Sequence, residues 1–160
     1  MKRKNRTLVV ILFAILIVFG AIQFVQPARN ISGQVLQTDI SKIYNVPDDV
    51  YALLKNACYD CHSNNTNYPW YSNIQPVGWL LAMDIKNGKE KINFSEFGSN
   101  SPRRQVSKLQ GIANRIKDGT MPLLPYQLMH KNARLTKEEK ELIIDWIQKT
   151  KDSITQKGHE

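Results

Sequence analysis

An uncharged stretch near the start of the chain limits the folds open to it. From Leu8 to Val25 the sequence reads LVVILFAILIVFGAIQFV, which is 18 residues without a charged side chain. As a helix with a rise of 1.5 Å per residue it reaches about 27 Å, close to the roughly 30 Å hydrocarbon core of a bilayer. Because a backbone inside lipid must satisfy its own hydrogen bonds, we predict a single spanning helix over residues 8–25.

The charges before this stretch predict its orientation. Residues 1–7 contain four basic side chains and no acidic one, and such clusters stay on the cytoplasmic side. We therefore predict a single-pass anchor in a bacterial inner membrane, with the C-terminal domain in the periplasm. A cleaved signal peptide is the alternative, with Val18 and Gly20 as a weak cleavage site, although its apolar region is typically about 7–15 residues long. Both interpretations export the chain beyond Val25.

The remaining charge does not indicate nucleic-acid binding. The chain has a net charge of +8, from 22 Lys and Arg against 14 Asp and Glu. Five of the basic residues and none of the acidic ones lie in residues 1–30, which leaves 17 against 14, or +3, for the rest. The sequence has no basic stripe interleaved with aromatic residues, so we expect no nucleic-acid partner.

The exported part of the chain has the pattern of one small helical domain. Residues 26–46 are polar and mixed, which predicts a linker. Residues 47–150 carry apolar side chains at helical spacing, and residues 151–160 are predicted to be a tail. Because no alternating β-strand period recurs, the expected fold class is all-α, with about four short helices and long loops.

Start and stop signals predict the individual helices. Pro47, followed by two acidic residues, opens the first helix. A capping box, in which Thr136 and Glu139 satisfy backbone donors for each other, opens the last. Gly88 is predicted to end the second helix. The second helix is predicted over residues 77–87 and the third over residues 102–118. Residues 63–76 and 119–129 are predicted to be loops.

The only two cysteines, Cys58 and Cys61, stand in the stretch ACYDCHSN, directly before His62. Three chemistries use a cysteine pair at this spacing. A structural zinc site needs four ligands, and the chain has no second cysteine pair. A redox dithiol or an exported disulfide is a second interpretation, but the redox motif belongs to a βαβ setting that the sequence lacks. The third is covalent attachment of a c-type haem, for which C-x-x-C-H is the specific signature.

The spacing suits a haem for a geometric reason. The two vinyl groups of a haem lie on adjacent pyrroles along one edge, and thiols at i and i+3 on one helical turn reach both. His62, beside the second thiol, is then carried beneath the ring, where its imidazole reaches the iron as the proximal ligand. We therefore predict one haem c per chain, held covalently by Cys58 and Cys61. Attachment outside the cytoplasm agrees with the export segment.

At these residues the chain resembles a family of small bacterial haem-binding domains with one C-x-x-C-H, related in organisation to class I c-type cytochromes. The resemblance spans roughly residues 45–150 and rests on CYDCHSN, YPWYSNIQPVGWL, GKEKINFSEF, GTMPLLPY and LTKEEKELIIDWI. It implies a cytochrome c-like helical domain whose long loops wrap around the haem. Some relatives carry a histidine between the second helix and INFSEF, whereas residues 77–98 contain none.

Met121 is the predicted ligand on the other face of the iron. It follows the third predicted helix and precedes the last one, an order that resembles class I cytochromes, in which a loop methionine binds the iron. His130 is the alternative ligand, against its interpretation as a surface histidine. Met83, within a helical run, and Met129 are weaker alternatives. His159, next to the last residue, is expected to lie in solvent.

Four aromatic residues are candidates for lining the haem pocket. The candidates for the wall, or for hydrogen bonds to the haem propionates, are Trp70, Tyr71, Trp79 and Tyr126. Ordinary core packing is the alternative for each of them. Arginines that are candidates for pairing with the propionates, or for a solvated helix face, are Arg103, Arg104 and Arg115.

These observations favour a membrane-anchored, monohaem electron carrier rather than a catalyst, with redox proteins of the periplasm or inner membrane as its partners. Two rival functions are kept. A haem peroxidase requires an open distal face and an acid–base group, and His130 is the one histidine available for it. A haem-based sensor or accessory module would need a partner to transmit its signal, because the sequence shows no output domain.

Overall fold

The chain folds into helices joined by loops. The computed structural model describes the backbone of residues 2–157 and the side chains of residues 5–156. Within these residues the fold is all-α, as predicted, and pairing of extended backbone is limited to an isolated bridge between Ile31 and Asn65. The α-helices are α1 (Lys2–Ile22), α2 (Ile40–Ile43), α3 (Asp48–Ala57), α4 (Tyr59–His62), α5 (Val77–Lys91), α6 (Pro102–Lys117), α7 (Leu124–Met129) and α8 (Lys137–Lys157). Short 3₁₀ helices cover Trp70–Asn73, Phe94–Ser99 and Lys131–Ala133.

The helices fall into two compact units. The first comprises the residues up to Arg29 together with Tyr68–Asp84. The second comprises Asn30–Asn67 and the chain from Ile85 onward. Helix α5 contributes residues to both units, because the division falls within it.

The first unit contains the apolar helix α1. Its 18-residue window Asn5–Ile22 has a mean hydropathy of 2.3, and none of that window is buried. Among the described residues, α1 is the one helix long and apolar enough to cross a membrane, a test that an N-terminal signal sequence also passes. The helix therefore agrees with the predicted apolar span and ends three residues before Val25.

The second unit has its core between α6 and α8, which pack against each other. Leu109, Ala113 and Ile116 of α6 are buried, as are Ile143 and Ile147 of α8. Residues four apart on a helix lie on one face, so each of these sets forms a stripe toward the other helix. The predicted third and last helices are thus confirmed. Helix α6 ends one residue before the predicted residue 118, and α8 begins directly after the predicted cap Thr136.

The start of α8 shows the predicted capping box. The Thr136 hydroxyl oxygen accepts from the Glu139 backbone N–H at 3.2 Å, and a Glu139 carboxylate oxygen accepts from the Thr136 backbone N–H at 2.7 Å. Two donors that a helix terminus leaves unpaired are satisfied in this way.

The predicted linker and tail are partly built into the second unit. Asp39 caps the single turn α2 by accepting from the Ser41 backbone N–H at 3.0 Å, and Ile40 is fully buried in the core. At the other end α8 continues to Lys157 with Ile154 buried, and the last three residues of the predicted tail lie outside the described residues.

Two loop and helix boundaries differ from the prediction. Helix α5 does not end at Gly88 but continues to Lys91. The predicted loop 119–129 contains the short helix α7, whose second residue is Pro125. Proline suits the first turn of a helix, where its missing N–H leaves no intrahelical bond unmade, so Pro125 is compatible with this helix start.

Candidate functional site

The cysteine motif forms one helical turn in the second unit. Helix α3 ends at Ala57, and Cys58 separates it from α4 with backbone angles φ −130° and ψ −43°. The Cys58 carbonyl oxygen accepts from the backbone N–H of Cys61 at 3.2 Å and of His62 at 3.0 Å. These bonds close the turn, and they fix the two thiols and the imidazole on a single short segment of backbone.

Both thiols are half-buried, and no disulfide joins them in the structure. Burial, with a smaller contribution from the neighbouring Cys61, raises the pKa of Cys58 to about 12. This value lies well above the pKa near 8.5 of a cysteine in water, so Cys58 is a neutral thiol at neutral pH.

The His62 ring is oriented by two backbone carbonyl groups. Its Nδ1 lies 3.0 Å from the Gly88 carbonyl oxygen and 3.1 Å from the Ile92 carbonyl oxygen. Because carbonyl oxygens only accept, the proton is assigned to Nδ1, which leaves the lone pair on Nε2. Burial lowers the pKa of His62, although the two carbonyl bonds oppose that shift. The side chain is therefore a neutral imidazole whose Nε2 can bind a metal.

Gly88 allows the motif to approach α5 closely. A Cβ atom at this position would lie 2.6 Å from the Cys61 carbonyl oxygen and 3.3 Å from His62 Cε1. Only glycine leaves room for both groups at this point of the helix. Sequence reasoning found this glycine but assigned it to a helix end. Its position inside the helical run WLLAMDIKNGKEK is the signal that favours a close contact instead.

Two aromatic rings that were not predicted support the motif. The buried Phe94 ring stacks on Tyr59 with centroids 5.1 Å apart, and it meets the His62 ring edge-on at 6.2 Å. The Tyr59 hydroxyl donates to an Asp39 carboxylate oxygen at 3.1 Å. Phe94 lies in the stretch INFSEF on which the family resemblance rests, so that stretch was the available signal.

The structure brings Tyr126 and His130 together beside the motif. Their rings stack with centroids 4.1 Å apart, and His130 Nδ1 lies 3.2 Å from the Tyr126 carbonyl oxygen. The Tyr126 hydroxyl donates to an Asp60 carboxylate oxygen at 2.7 Å. Since Asp60 stands between the two cysteines, Tyr126 links α7 to the motif itself.

Met121 lies in the turn that follows α6. The turn begins at Gly119, whose positive φ of 67° favours glycine, and the Met121 backbone N–H donates to the Arg115 carbonyl oxygen at 3.2 Å. The Met121 side chain is half-buried. Its role as an iron ligand stays a prediction, as does the rival role of His130. Met83 and Met129 are exposed, and His159 lies outside the described residues.

The other three aromatic candidates belong to the first unit. Trp70 and Tyr71 pack edge-on with centroids 5.8 Å apart, and Trp70 is largely exposed. Trp79 donates its Nε1–H to the Val25 carbonyl oxygen at 2.8 Å. Their roles as haem-pocket walls stay predictions. The arginine candidates Arg103, Arg104 and Arg115 are exposed on α6.

The donor set of the motif suits a haem. Among the described residues, no three His, Cys, Asp or Glu side chains are grouped so that they could hold a metal ion by themselves. The turn instead offers two thiols at i and i+3 and one imidazole with its Nε2 lone pair available, which are the groups that bind a haem's vinyl edge and its iron. The all-α fold and this turn define a haem-binding protein.

Comparison with known proteins agrees with this class. A family model described as a haem-binding domain matches residues 17–149, which is most of the chain. The chain therefore belongs to the haem-binding domain family. The comparison with curated proteins found no match, and the comparison with solved structures found none.

Proposed function

We propose that this haem-binding protein is a membrane-anchored c-type electron carrier that holds one covalent haem outside the cytoplasm. The observation that carries the proposal is the single turn on which Cys58, Cys61 and the oriented imidazole of His62 stand together. The haem would supply a one-electron couple at its iron. The chain's own residues would hold the group, set its axial ligands and limit access of water.

Two thiols at this spacing supply the chemistry for the proposed covalent attachment. The sulfur atoms of Cys58 and Cys61 would each form a carbon–sulfur bond with a vinyl side chain. Each thiol would supply both the sulfur and the hydrogen that add across one vinyl double bond, so the attachment would need no oxidant. The two carbonyl groups that accept from His62 Nδ1 leave Nε2 unprotonated and increase the basicity of the imidazole, so Nε2 would be the atom that binds the iron.

Met121 is proposed to bind the opposite face of the iron. Its support is its place in a glycine- and proline-shaped turn between α6 and the last helix, within the same unit as the motif. A thioether ligand raises the reduction potential of a haem, whereas a second imidazole from His130 would give a lower one. Either residue would close the second face of the haem, which would suit electron transfer.

The apolar helix α1 supports the anchor. Its length matches a bilayer core, and the basic residues before it favour a cytoplasmic N-terminus. The haem-binding unit would then lie on the periplasmic side of a bacterial inner membrane, where redox proteins of the periplasm or membrane exchange electrons with it.

Covalent attachment is tested by haem retention. After maturation by cytochrome c biogenesis proteins, the haem should stay with the chain through denaturing acid–acetone extraction, because thioethers survive it. The double variant Cys58→Ala/Cys61→Ala should release all of its haem under the same treatment. Haem content is measured from the absorbance of the reduced pyridine complex. Complete extraction from the unsubstituted chain would contradict the c-type assignment.

The distal ligand is tested by Met121→Ala. The oxidised protein should show the weak charge-transfer absorption typical of methionine-bound ferric haem, and this variant should lose it because the sulfur ligand is gone. Met129→Ala is the matched control, since Met129 is an exposed methionine nearby in sequence, and it should keep the absorption. If the absorption survives in Met121→Ala, the ligand is another residue. Carbon monoxide binding to the reduced unsubstituted protein would instead favour the open-face alternatives, a peroxidase or a sensor.

A further inference from the structure

An uncharged segment of the first unit exposes a large share of apolar surface. Tyr68 to Met83 reads YPWYSNIQPVGWLLAM, which is 16 residues without a charged side chain. Within it Trp70 is 72% exposed, Leu80 54% and Met83 51%. Val77, Leu80 and Met83 follow at intervals of three on α5 and are all exposed, so they form a contiguous apolar strip. A contiguous apolar surface marks a place that is covered in use, whereas apolar residues scattered singly need no such explanation.

The 68–83 segment is fastened to the end of α1 by reciprocal hydrogen bonds. The Gln75 backbone N–H donates to the Gln23 side-chain oxygen at 2.9 Å, and Gln23 Nε2 donates to the Gln75 carbonyl oxygen at 3.2 Å. Gln75 Nε2 also donates to the side-chain oxygen of Gln26 at 3.0 Å. Trp79 adds the bond from Nε1 to the Val25 carbonyl oxygen. These contacts fix the segment at the level where the apolar helix ends.

That level corresponds to the lipid headgroups if α1 spans a membrane. Gln23 directly follows Ile22, the last residue of the apolar window. The interfacial region occupies about 5–7 Å on each side of the roughly 30 Å hydrocarbon core. One residue advances the chain by about 1.5–3.3 Å, so Gln23 and its partner Gln75 lie inside the interfacial region.

The chemistry of the segment suits this environment. Tryptophan combines an apolar ring with one N–H donor, and in membrane proteins it concentrates at the headgroup level. The amides of Gln23, Gln26 and Gln75 bond to one another or to backbone groups, which lowers the cost of leaving water. Arg29 lies over the Tyr68 ring at 4.2 Å and donates to the Ser72 hydroxyl at 2.9 Å, which puts a cation at the edge of the segment, where it can pair with lipid phosphate groups.

We propose that the 68–83 segment is a lipid-binding element that lies in the headgroup interface where α1 leaves the membrane, with Trp70, Leu80 and Met83 toward the acyl chains. The proposal rests on the membrane anchor of the proposed function. Leu80 and Met83 are three residues apart on α5 and share a face of the helix, so both side chains enter lipid in one orientation.

A photo-crosslinker tests the occupant of this surface. The benzophenone amino acid p-benzoylphenylalanine is incorporated at position 80 or 70 of the full haem-loaded chain, reconstituted into vesicles of phosphatidylcholine and phosphatidylglycerol. Position 16, in the exposed apolar surface of α1, serves as the control inside the bilayer, and position 148, exposed on α8, as the control in water. After irradiation, mass spectrometry should find lipid adducts at positions 16, 70 and 80 and none at position 148.

The outcomes separate this proposal from the anchor on which it rests. Lipid adducts at position 16 with none at positions 70 and 80 overturn the lipid-binding element and leave the anchor intact. Adducts between position 80 and a second copy of the chain overturn it as well, since the surface would then be a protein interface. Adducts at neither 16 nor 80 overturn the element together with the anchor. Adducts at 80 but not at 16 contradict the spanning helix and overturn the proposal as well, since the element is placed where that helix leaves the membrane.

Discussion

Gly88→Ala should lower the free energy of unfolding by about 1–3 kcal/mol, the cost typical of overpacking a filled site. The added methyl would lie 2.6 Å from the Cys61 carbonyl oxygen, a backbone atom that cannot rotate away. The turn that carries the motif must therefore move off α5, and the bond from His62 Nδ1 to the Gly88 carbonyl oxygen is lost or lengthened. Thermal unfolding followed by circular dichroism should show the loss, and the haem content per chain should fall.

Gly111→Ala is the matched control for this prediction. Gly111 lies in the interior of α6, and a Cβ there would meet nothing within 4 Å. Alanine is the better helix former by about 1 kcal/mol, so this variant should be more stable than the unsubstituted chain. Opposite signs for the two substitutions are expected. Equal gains in stability would mean that Gly88 does not limit the approach of the motif.

Phe94→Ala should lower the free energy of unfolding by about 3–5 kcal/mol, as is usual for a buried phenylalanine. The Phe94 ring is buried between Tyr59 and His62, so its removal opens a cavity beside His62. The His62 ring would lose the contact that holds its plane, and the absorption and reduction potential of the haem should shift. Chemical denaturation and spectroelectrochemical titration measure the two effects.

Phe97→Ala separates these two effects. Phe97 is equally buried, and its ring meets the Tyr44 ring edge-on with centroids 6.3 Å apart. Its loss should cost a similar free energy of unfolding while the haem spectrum of the folded protein stays unchanged. A spectrum that shifts equally in both variants would show that Phe94 acts only through general stability.

The helices that carry strong local signals were predictable from the sequence. Helix α8 has a capping box and an apolar stripe, and α6 has apolar residues on one face. Both kinds of signal depend on residues within one or two turns of each other, so they can be read without knowing the fold. The all-α class followed from the same signals.

The segments that the prediction missed depend on distant contacts or irregular backbone. Ile40 is buried because the single turn α2 packs on the segment Phe94–Ser99. No periodic pattern of apolar residues near Ile40 predicts this contact. That segment is a 3₁₀ helix interrupted by a non-helical Glu96, with φ −116° and ψ 19°. Its apolar residues therefore follow neither a helical nor a strand period, and sequence reasoning assigned it no structure.

The candidate site likewise has one part that was predictable from local sequence and one part that depends on distant residues. The turn of Cys58, Cys61 and His62 was predictable because all three residues lie within five positions. The groups that orient His62 come from Gly88 and Ile92, 26 and 30 residues away. A glycine inside a helical run can mark a close contact, but a glycine that ends a helix is commoner, so Gly88 was assigned to the commoner use.

The hydrogen bonds of His62 also affect how substitutions at this residue should be interpreted. The Gly88 carbonyl oxygen, near the end of α5, accepts from the Ile92 backbone N–H, and the His62 N–H adds a second donor that also reaches the Ile92 carbonyl oxygen. The residue proposed to bind the iron thus also ties the end of α5 to the cysteine motif. A substitution that removes the imidazole would remove the proposed iron ligand and this tie in one step. A genetic screen that scores haem content alone would therefore count two separate lesions as a single one.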